Sequence, residues 1–420
     1  MIHDACGIVG IFDRSQKAVA HSVYFGLFAL QHRGQESCGI AANDQGVITL
    51  HKDMGLVNEV FTSEILDRLT GNIAMGHVRY ATTGQSVREN AQPLVMRYVK
   101  GNLALAHNGN LKNTSELRKT LEDQGAIFQT SIDSEIIAYL IARERSRSRS
   151  VEEAIVAAMP YLSGAYSLLI MSPKKLIAVR DPLGFRPLCM GDLNGATVFA
   201  SESCALDTIG ATFIRDIEPG EVVIAEQAGI RSIRTHCHGV RRLCIFEYIY
   251  FARPDSRIDG QSVVESRVTA GRLLARQYPA EADLVIGVPD SGMDAASGYA
   301  MESGIPLGRG FVKNNYIGRT FIRPEQTQRE TAVRIKLNPV ISNVAGKRIV
   351  MVDDSIVRGT TSAIIVKLLK LAGAKEVHVR ISAPPFLWPC YYGTDIPSRD
   401  ELTAQKNTIE EIRQLIGADS

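Results

Sequence analysis

The chain predicts a two-part α/β protein: an α+β N-terminal half of stacked sheets covered by helices, followed by a parallel sheet with helices on its faces. Three observations carry this. From Cys6 to about His236, short strand-like runs mix with amphipathic helices and show no regular alternation. After about Cys237 the order becomes strand, loop, helix, strand. The 420 residues also exceed one ordinary core, since a prior of about 150 per domain gives two or three. The join falls near residues 237–245, dividing the chain into 6–236 and 237–420 behind a five-residue leader.

In the first part, strands are expected at Gly7 to Phe12, Asn102 to His107, Ala165 to Met171, Lys175 to Arg180, Thr197 to Ser201 and Glu221 to Glu226. Apolar residues three and four apart predict helices over Ala20 to Gln31, Ser115 to Gln124, Asp133 to Arg143 and Val151 to Tyr161. Arg145 to Ser150 alternates Arg and Ser and reads as a solvated connector. In the second part, Ala282 to Val288, Lys347 to Val352 and Glu376 to Ser382 read as buried strands. Gly292 to Met301 and Ser362 to Leu371 read as the helices between them.

Composition narrows the partners. A hydrophobic content of 45% and a net charge of +2 describe a globular protein with neither a nucleic-acid groove nor a membrane surface, so small molecules are the expected ligands. Seven scattered cysteines argue against a disulfide framework and for a reducing cytoplasm. No basic leader is seen, and no apolar run approaches the roughly 18 residues of a membrane span.

Cys6 is the first chemical signal. Were the peptide bond between Ala5 and Cys6 cut, one residue would carry both nucleophile and base, the α-amine having an ordinary pKa of about 7.7 to 8.0. The same residue also fits a small buried hydrophobe at a strand start. The second signal is Arg348-Ile349-Val350-Met351-Val352-Asp353-Asp354, which runs through Ser355-Ile356-Val357-Arg358-Gly359 into Thr360-Thr361-Ser362. Adjacent carboxylates repel unless a cation or ribose hydroxyls stand before them, and the loop and helix N-terminus after them suit a phosphate. Val288-Pro289-Asp290-Ser291-Gly292 should end a neighbouring strand at the same sheet edge, where ligands of open parallel sheets collect. The basic, poorly periodic stretch from Lys313 through Tyr316, Arg319 and Thr320 to Ile322 reads as a lid.

Three further runs fit an amide-hydrolysing site around Cys6. Arg79 offers a forked guanidinium for an α-carboxylate. Asn108 and Gly109, read as the turn ending a strand, could point an amide and a backbone N–H at an oxyanion. Asp133, opening a helix, could accept from an α-ammonium. Each also has a structural reading: a surface ion pair, a hairpin turn and an N-cap.

These motifs, with Gln31-His32-Arg33-Gly34-Gln35-Glu36 and Phe246-Glu247-Tyr248-Ile249-Tyr250-Phe251-Ala252-Arg253-Pro254-Asp255-Ser256, make the chain resemble the glutamine phosphoribosylpyrophosphate (PRPP) amidotransferase family from Cys6 to Ser420. The resemblance implies an N-terminal-nucleophile hydrolase αββα sandwich joined to a type I phosphoribosyltransferase domain. It implies the opening step of de novo purine synthesis, with Cys6, Asn108 and Gly109 catalytic and Arg79 and Asp133 binding glutamine. PRPP would be held by Asp290, Asp353, Asp354, Ser355, Arg358, Gly359, Thr360, Thr361 and Ser362, with Mg2+ at Ser291, Asp353 and Asp354. Propeptide removal, a homotetramer and purine nucleotide inhibition are also implied. The Phe246 to Phe251 run is the expected lining of an ammonia passage, or interdomain core.

One feature departs from the family. Many members hold a [4Fe-4S] cluster; Cys244 and Cys390 match two ligands by context, but the Cys-x-x-Cys pair expected for the others is not in the sequence, and Cys237 is a poor substitute. The alternatives are a PRPP- or nucleotide-sensing regulator, and the glucosamine phosphate synthase class, which has no use for the Asp353-Asp354 loop.

Overall fold

Residues Gly7–Phe12 are apolar or glycine throughout, and the strand they form is buried from end to end at the centre of a sheet. The computed structural model describes residues 6–80, 85–314, 336–393 and 398–420. The first sheet has seven antiparallel strands in the order Thr212–Asp216, Cys189–Leu193, Ala196–Ala200, Gly7–Phe12, Ile73–Arg79, Ser37–Asp44 and Val47–Met54. The second has six: Gly229–Ile233, Val222–Glu226, Lys175–Arg180, Gly164–Ser172, Gly101–Leu111 and Leu94–Tyr98.

Strand periodicity sorts the side chains into layers. Ile8 and Phe12 face the second sheet and pack with Ala104, Ala106, Leu169 and Ala178. Val9 and Ile11 face the other way, against Val23 and Leu27 of the Ala20–Ala29 helix. Beyond the second sheet, Leu105, Leu168 and Ile170 meet Ile137, Ile141 and Ile155 of the helices Asp133–Arg145 and Val151–Ala158. The result is helix, sheet, sheet, helix, the four layers the motifs imply.

The second part is built on three parallel strands, Leu284–Gly287, Arg348–Asp353 and Glu376–Ile381, with Arg348–Asp353 in the middle. Val285, Val350 and Val352 pack on one face with Ala275 of the Val263–Gln277 helix and Ala296 and Tyr299 of Gly292–Ser303. On the other face Ile286, Ile349 and Met351 meet Ile365 and Leu369 of Thr360–Leu371. The last helix, Ile409–Ile416, packs through Ile412 and Ile416 on Ile356 and Ala363.

Most expected elements stand within a residue or two of their expected ends. One correction concerns the site: Asn108 and Gly109 do not sit in a turn. The strand runs on through them to Leu111, paired with Gly164–Ser172 along its length, so the Asn-Gly hairpin signal yields to tertiary pairing. Several elements were not expected. They include Ser37–Asp44 and Ile73–Arg79, rich in Ala and Gly, and the Val263–Gln277 helix, whose start is marked by Ser262 accepting from the Glu265 N–H.

Between the two parts, residues 242–259 lie against the first. Arg242 and Cys244 donate backbone N–H groups to Leu183 and Phe185, Ser256 donates to Glu202 at 2.6 Å, and Asp259 pairs with Arg180 at 2.8 Å.

Candidate active sites

Cys6 enters the central strand of the first sheet, and its thiol reaches the Tyr80 carbonyl at 3.5 Å. Burial pushes the thiol's pKa up; the Tyr80 bond and Arg79 work against this, and Asp133 adds to it. The fold thus gathers Cys6, Arg79 and Asp133 into one electrostatic neighbourhood. Arg79 ends the neighbouring strand and is 2% exposed, so the surface ion pair is set aside.

Asp133 opens the Asp133–Arg145 helix, and its carboxylate accepts the Leu111 N–H at 2.9 Å and lies 3.4 Å from His107 Nδ1. Burial alone would raise its pKa, but His107 and the backbone donors outweigh that and hold it below the ordinary range. Asn108 is fully buried. Its amide nitrogen lies 3.4 Å from Ser201 Oγ, and its oxygen has no partner among the described residues. Ser201 Oγ accepts the Ile8 N–H at 3.0 Å, tying Asn108 to the strand that carries Cys6. Gly109 has φ +148°, and a Cβ there would stand 2.0 Å from the Ala165 carbonyl oxygen, so the residue must be glycine. An open cleft of about 490 Å3, lined by Asn90, Arg118, Phe128 and Ser131 among others, lies beside the segment that leads into Asp133. Met1–Ala5 and Ala81–Gly84 lie outside the described residues.

At the second site, Asp353 closes the central parallel strand and Asp354 begins the loop. Ser291 Oγ donates to Asp354 at 2.6 Å, Ser355 Oγ also donates to Asp354, and Lys313 pairs with Asp290. The Asp290–Ser291 turn therefore reaches the same edge as the acid pair. Burial, and then the neighbouring Asp354, pushes the Asp353 carboxyl well above the ordinary range. Gly359, at φ +79°, starts the Thr360–Leu371 helix without a side-chain cap, so the first-turn N–H groups of Thr360, Thr361 and Ser362 have no capping acceptor from it. Arg358 pairs with Glu401. Of the expected lid, Lys313 and Asn314 fall within the described residues; Tyr316, Arg319 and Thr320 lie outside them.

The oxygen donors of Asp353, Asp354 and Ser291 suit a hard cation such as Mg2+, which habitually takes one or two carboxylates and fills its shell with water and substrate oxygens. A four-thiolate cluster does not fit what is described. Cys244 has Cys390 among its electrostatic neighbours, but among the described residues no group of three or more His, Cys, Asp or Glu side chains converges. All seven cysteines are free thiols, and Cys38, Cys189 and Cys204 are buried in the core.

Sequence reasoning assigned no role to Arg33, Arg186, Glu202 or Glu247, which form a buried ion network behind Cys6. Charged residues set among apolar ones, as Glu247 is between Phe246 and Phe251, were the available sign.

A glutamine amidotransferase domain model matches residues 77–208. An amidophosphoribosyltransferase of Archaeoglobus fulgidus is 50% identical over 415 residues, covering 99% of this chain and 91% of that one. That of Bacillus subtilis is 50% identical over 420 residues, covering 100% and 87%. The chain belongs to the amidophosphoribosyltransferase family. A solved structure of the glutamine PRPP amidotransferase from Bacillus subtilis, complexed with ADP and GMP, superposes with a TM-score of 0.92 at 50% identity over 99% of this chain and 90% of that one. As a member of this family of pentosyltransferases the protein is an enzyme, and a purely regulatory role is not favoured. Among the described residues no helix is long and apolar enough to cross a membrane.

Proposed function

We propose that the enzyme hydrolyses glutamine at Cys6 and passes the ammonia to PRPP, forming 5-phosphoribosylamine, pyrophosphate and glutamate, the first committed step of purine synthesis. Residues 6–236 form the amide-hydrolysing unit and 237–420 the sugar-phosphate unit. The observation that carries this is the pairing, in one chain, of a buried thiol beside Arg79 and Asp133 with an acid pair running into an uncapped helix.

Once residues 1–5 are removed, the Cys6 amine takes the thiol proton and the sulfur attacks the side-chain amide carbon. Arg79 and Asp133 hold the substrate's carboxylate and ammonium, while the Asn108 amide and Gly109 N–H receive the oxyanion. The C–N bond breaks as the amine returns its proton to the leaving nitrogen, and water then releases glutamate from the thioester. Ammonia must reach the second site without being protonated in bulk water. We assign the lining of its passage to the aromatic run from Phe246 to Phe251, in which Phe246 and Phe251 pack near Val357.

At the second site ammonia attacks C1 of the ribose, the bond to pyrophosphate breaks, and the product amine gives up a proton. The Ser355 to Ser362 loop, with the helix N-terminus, holds the 5'-phosphate, and Asp353 and Asp354 meet the ribose hydroxyls. Mg2+ held by Asp353, Asp354 and Ser291 would offset the charge of the departing pyrophosphate. Lys313, paired with Asp290 at this edge, would add positive charge beside it. The assembly we expect is a cytoplasmic homotetramer inhibited by purine nucleotides.

The test separates the two chemistries. Cys6→Ala should lower glutamine-dependent pyrophosphate release by at least about a thousandfold and leave ammonium-dependent release intact. Normal glutamine hydrolysis by this variant, or by a chain that keeps its first five residues, would defeat the proposal.

A further inference from the structure

Behind the nucleophile, the Arg33 guanidinium uses all three nitrogens. Nε donates to the Cys6 carbonyl at 2.9 Å, Nη1 to Glu202 at 2.5 Å and Glu247 at 2.9 Å, and Nη2 to Glu247 at 3.0 Å. Arg186 reaches the same Glu247 carboxylate at 3.0 Å and donates its other end to the Tyr392 carbonyl at 2.9 Å. The four charged side chains are at most 1% exposed, and two cations face two anions. Glu202 is held separately by His32, the Arg253 N–H and Ser256. Among the described residues Glu247 has no such second anchor: its carboxylate serves the two arginines.

Glu247 is also the network's link to the other half of the molecule. It opens the short helix Glu247–Phe251, whose flanking Phe246 and Phe251 pack with Ala383, Val357 and Phe386. Val357 belongs to the phosphate loop. Ala383 donates its N–H to the Asp354 carbonyl at 2.9 Å, and Ser382 donates to Asp353 at 3.0 Å. Arg267 clamps the helix from behind, donating to the Tyr248 and Ala252 carbonyls at 2.6 and 2.8 Å, and lies 3.5 Å from Asp294, at the start of the helix that follows Ser291. From the acid pair to the Cys6 carbonyl, each step is thus a bond or a packed contact.

We propose that Glu247 is a positioning residue for the Cys6 reaction: through Arg33 it fixes the main chain of the nucleophile, and through its helix it registers the set of the phosphoribosyl loop. This rests on the reading of Cys6 as the glutamine nucleophile. Burial gives the proposal its force, since a carboxylate in low dielectric orients a guanidinium far more firmly than one in water.

The experiment compares Glu247→Gln with the parent and with Cys6→Ala, using glutamine, with and without PRPP, and ammonium with PRPP. Glu247→Gln should lower kcat for glutamine by about tenfold or more with KM within about twofold, because the lost interaction holds the reacting geometry rather than the substrate. Ammonium-dependent synthesis should stay near the parent's, and any acceleration of glutamine hydrolysis by PRPP in the parent should shrink toward none. The charge-balanced Glu247→Gln, Arg186→Met pair should show the same split. Parental kcat in both variants overturns the proposal. So does joint loss of both activities in both variants, since Glu247 would then hold the fold, and so does a parent whose hydrolysis ignores PRPP. Should Cys6→Ala still hydrolyse glutamine, the underlying functional reading fails; should it be inactive while Glu247→Gln matches the parent, only the role of Glu247 fails.

Discussion

Around Cys6 the buried ions come in opposed sets: Arg33 and Arg186 meet Glu202 and Glu247, and Asp133 accepts the Leu111 N–H and lies beside His107. At the end of the Arg348–Asp353 strand, two carboxylates stand side by side, and their hydrogen-bond partners among the described residues are serine hydroxyls and the Asp354 backbone N–H. Burial pushes both acids up, but the partners of Asp133 outweigh it and hold that carboxyl below its ordinary pKa, whereas Asp354 adds to it and drives Asp353 well above. The first arrangement is rigid before any substrate arrives, as chemistry on a neutral amide requires. The second would need a cation to offset its adjacent carboxylates.

The contrast is broken most directly at the oxyanion position. Asn108→Ala removes a donor that the fold holds in place without substrate, so kcat for glutamine should drop about 10²- to 10³-fold while ammonium-dependent synthesis is untouched. An effect below tenfold would place the oxyanion elsewhere. On the other side, Asp354→Asn leaves the shape but removes one carboxylate from the acid pair. Synthesis from ammonium should fall by about tenfold or more and its Mg2+ requirement should shift upward, with glutamine hydrolysis retained. Equal loss of both activities would mean that the acid pair serves the whole fold.

The contrast also explains what could be read from the sequence. The candidate phosphoribosyl site is local: Asp353 to Ser362 is one strand end, one loop and one helix start, so its strand–loop–helix form was legible, with Asp290 and Ser291 expected at the same edge from sheet order. Cys6, Arg79, Asn108 and Asp133 could be named but not placed, because they come from two sheets and a helix. What the sequence hid is the Arg33, Glu202, Glu247 and Arg186 network, whose members lie up to 214 residues apart and whose pairing depends on how the halves dock. Asn108-Gly109 misled for a related reason: its turn propensity is genuine, but eight cross-strand pairs from Ala104 to Leu111 override it.

Gly109 sharpens the same point on the scale of stability. Gly109→Ala places a Cβ 2.0 Å from the Ala165 oxygen at a φ that side chains rarely adopt. It should destabilise the N-terminal half by about 1–3 kcal/mol, read by urea unfolding, in addition to any effect on hydrolysis. Unchanged stability would show that the strand relaxes there, and that the oxyanion site is less preorganised than its ion pairs suggest.

An effect confined to acid pH concerns His77, whose Nε2 lies 3.0 Å from the His107 carbonyl and whose Nδ1 is buried without a partner among the described residues. Burial lowers its pKa to about 3, with Arg79 adding to the effect and the His107 bond opposing it. The folded state therefore holds a neutral ring, while the unfolded chain takes up a proton near pH 6.5. Protons then favour the unfolded state, so the contribution is complete above about pH 6.5 and is lost as pH falls toward about 3, at about 1.4 kcal/mol per pH unit. His77→Gln should flatten the pH dependence of unfolding by that slope between about pH 6 and 4. Parallel curves for parent and variant would mean that the ring is protonated in the folded state, and the layer behind Cys6 would then carry a charge that its partners do not balance.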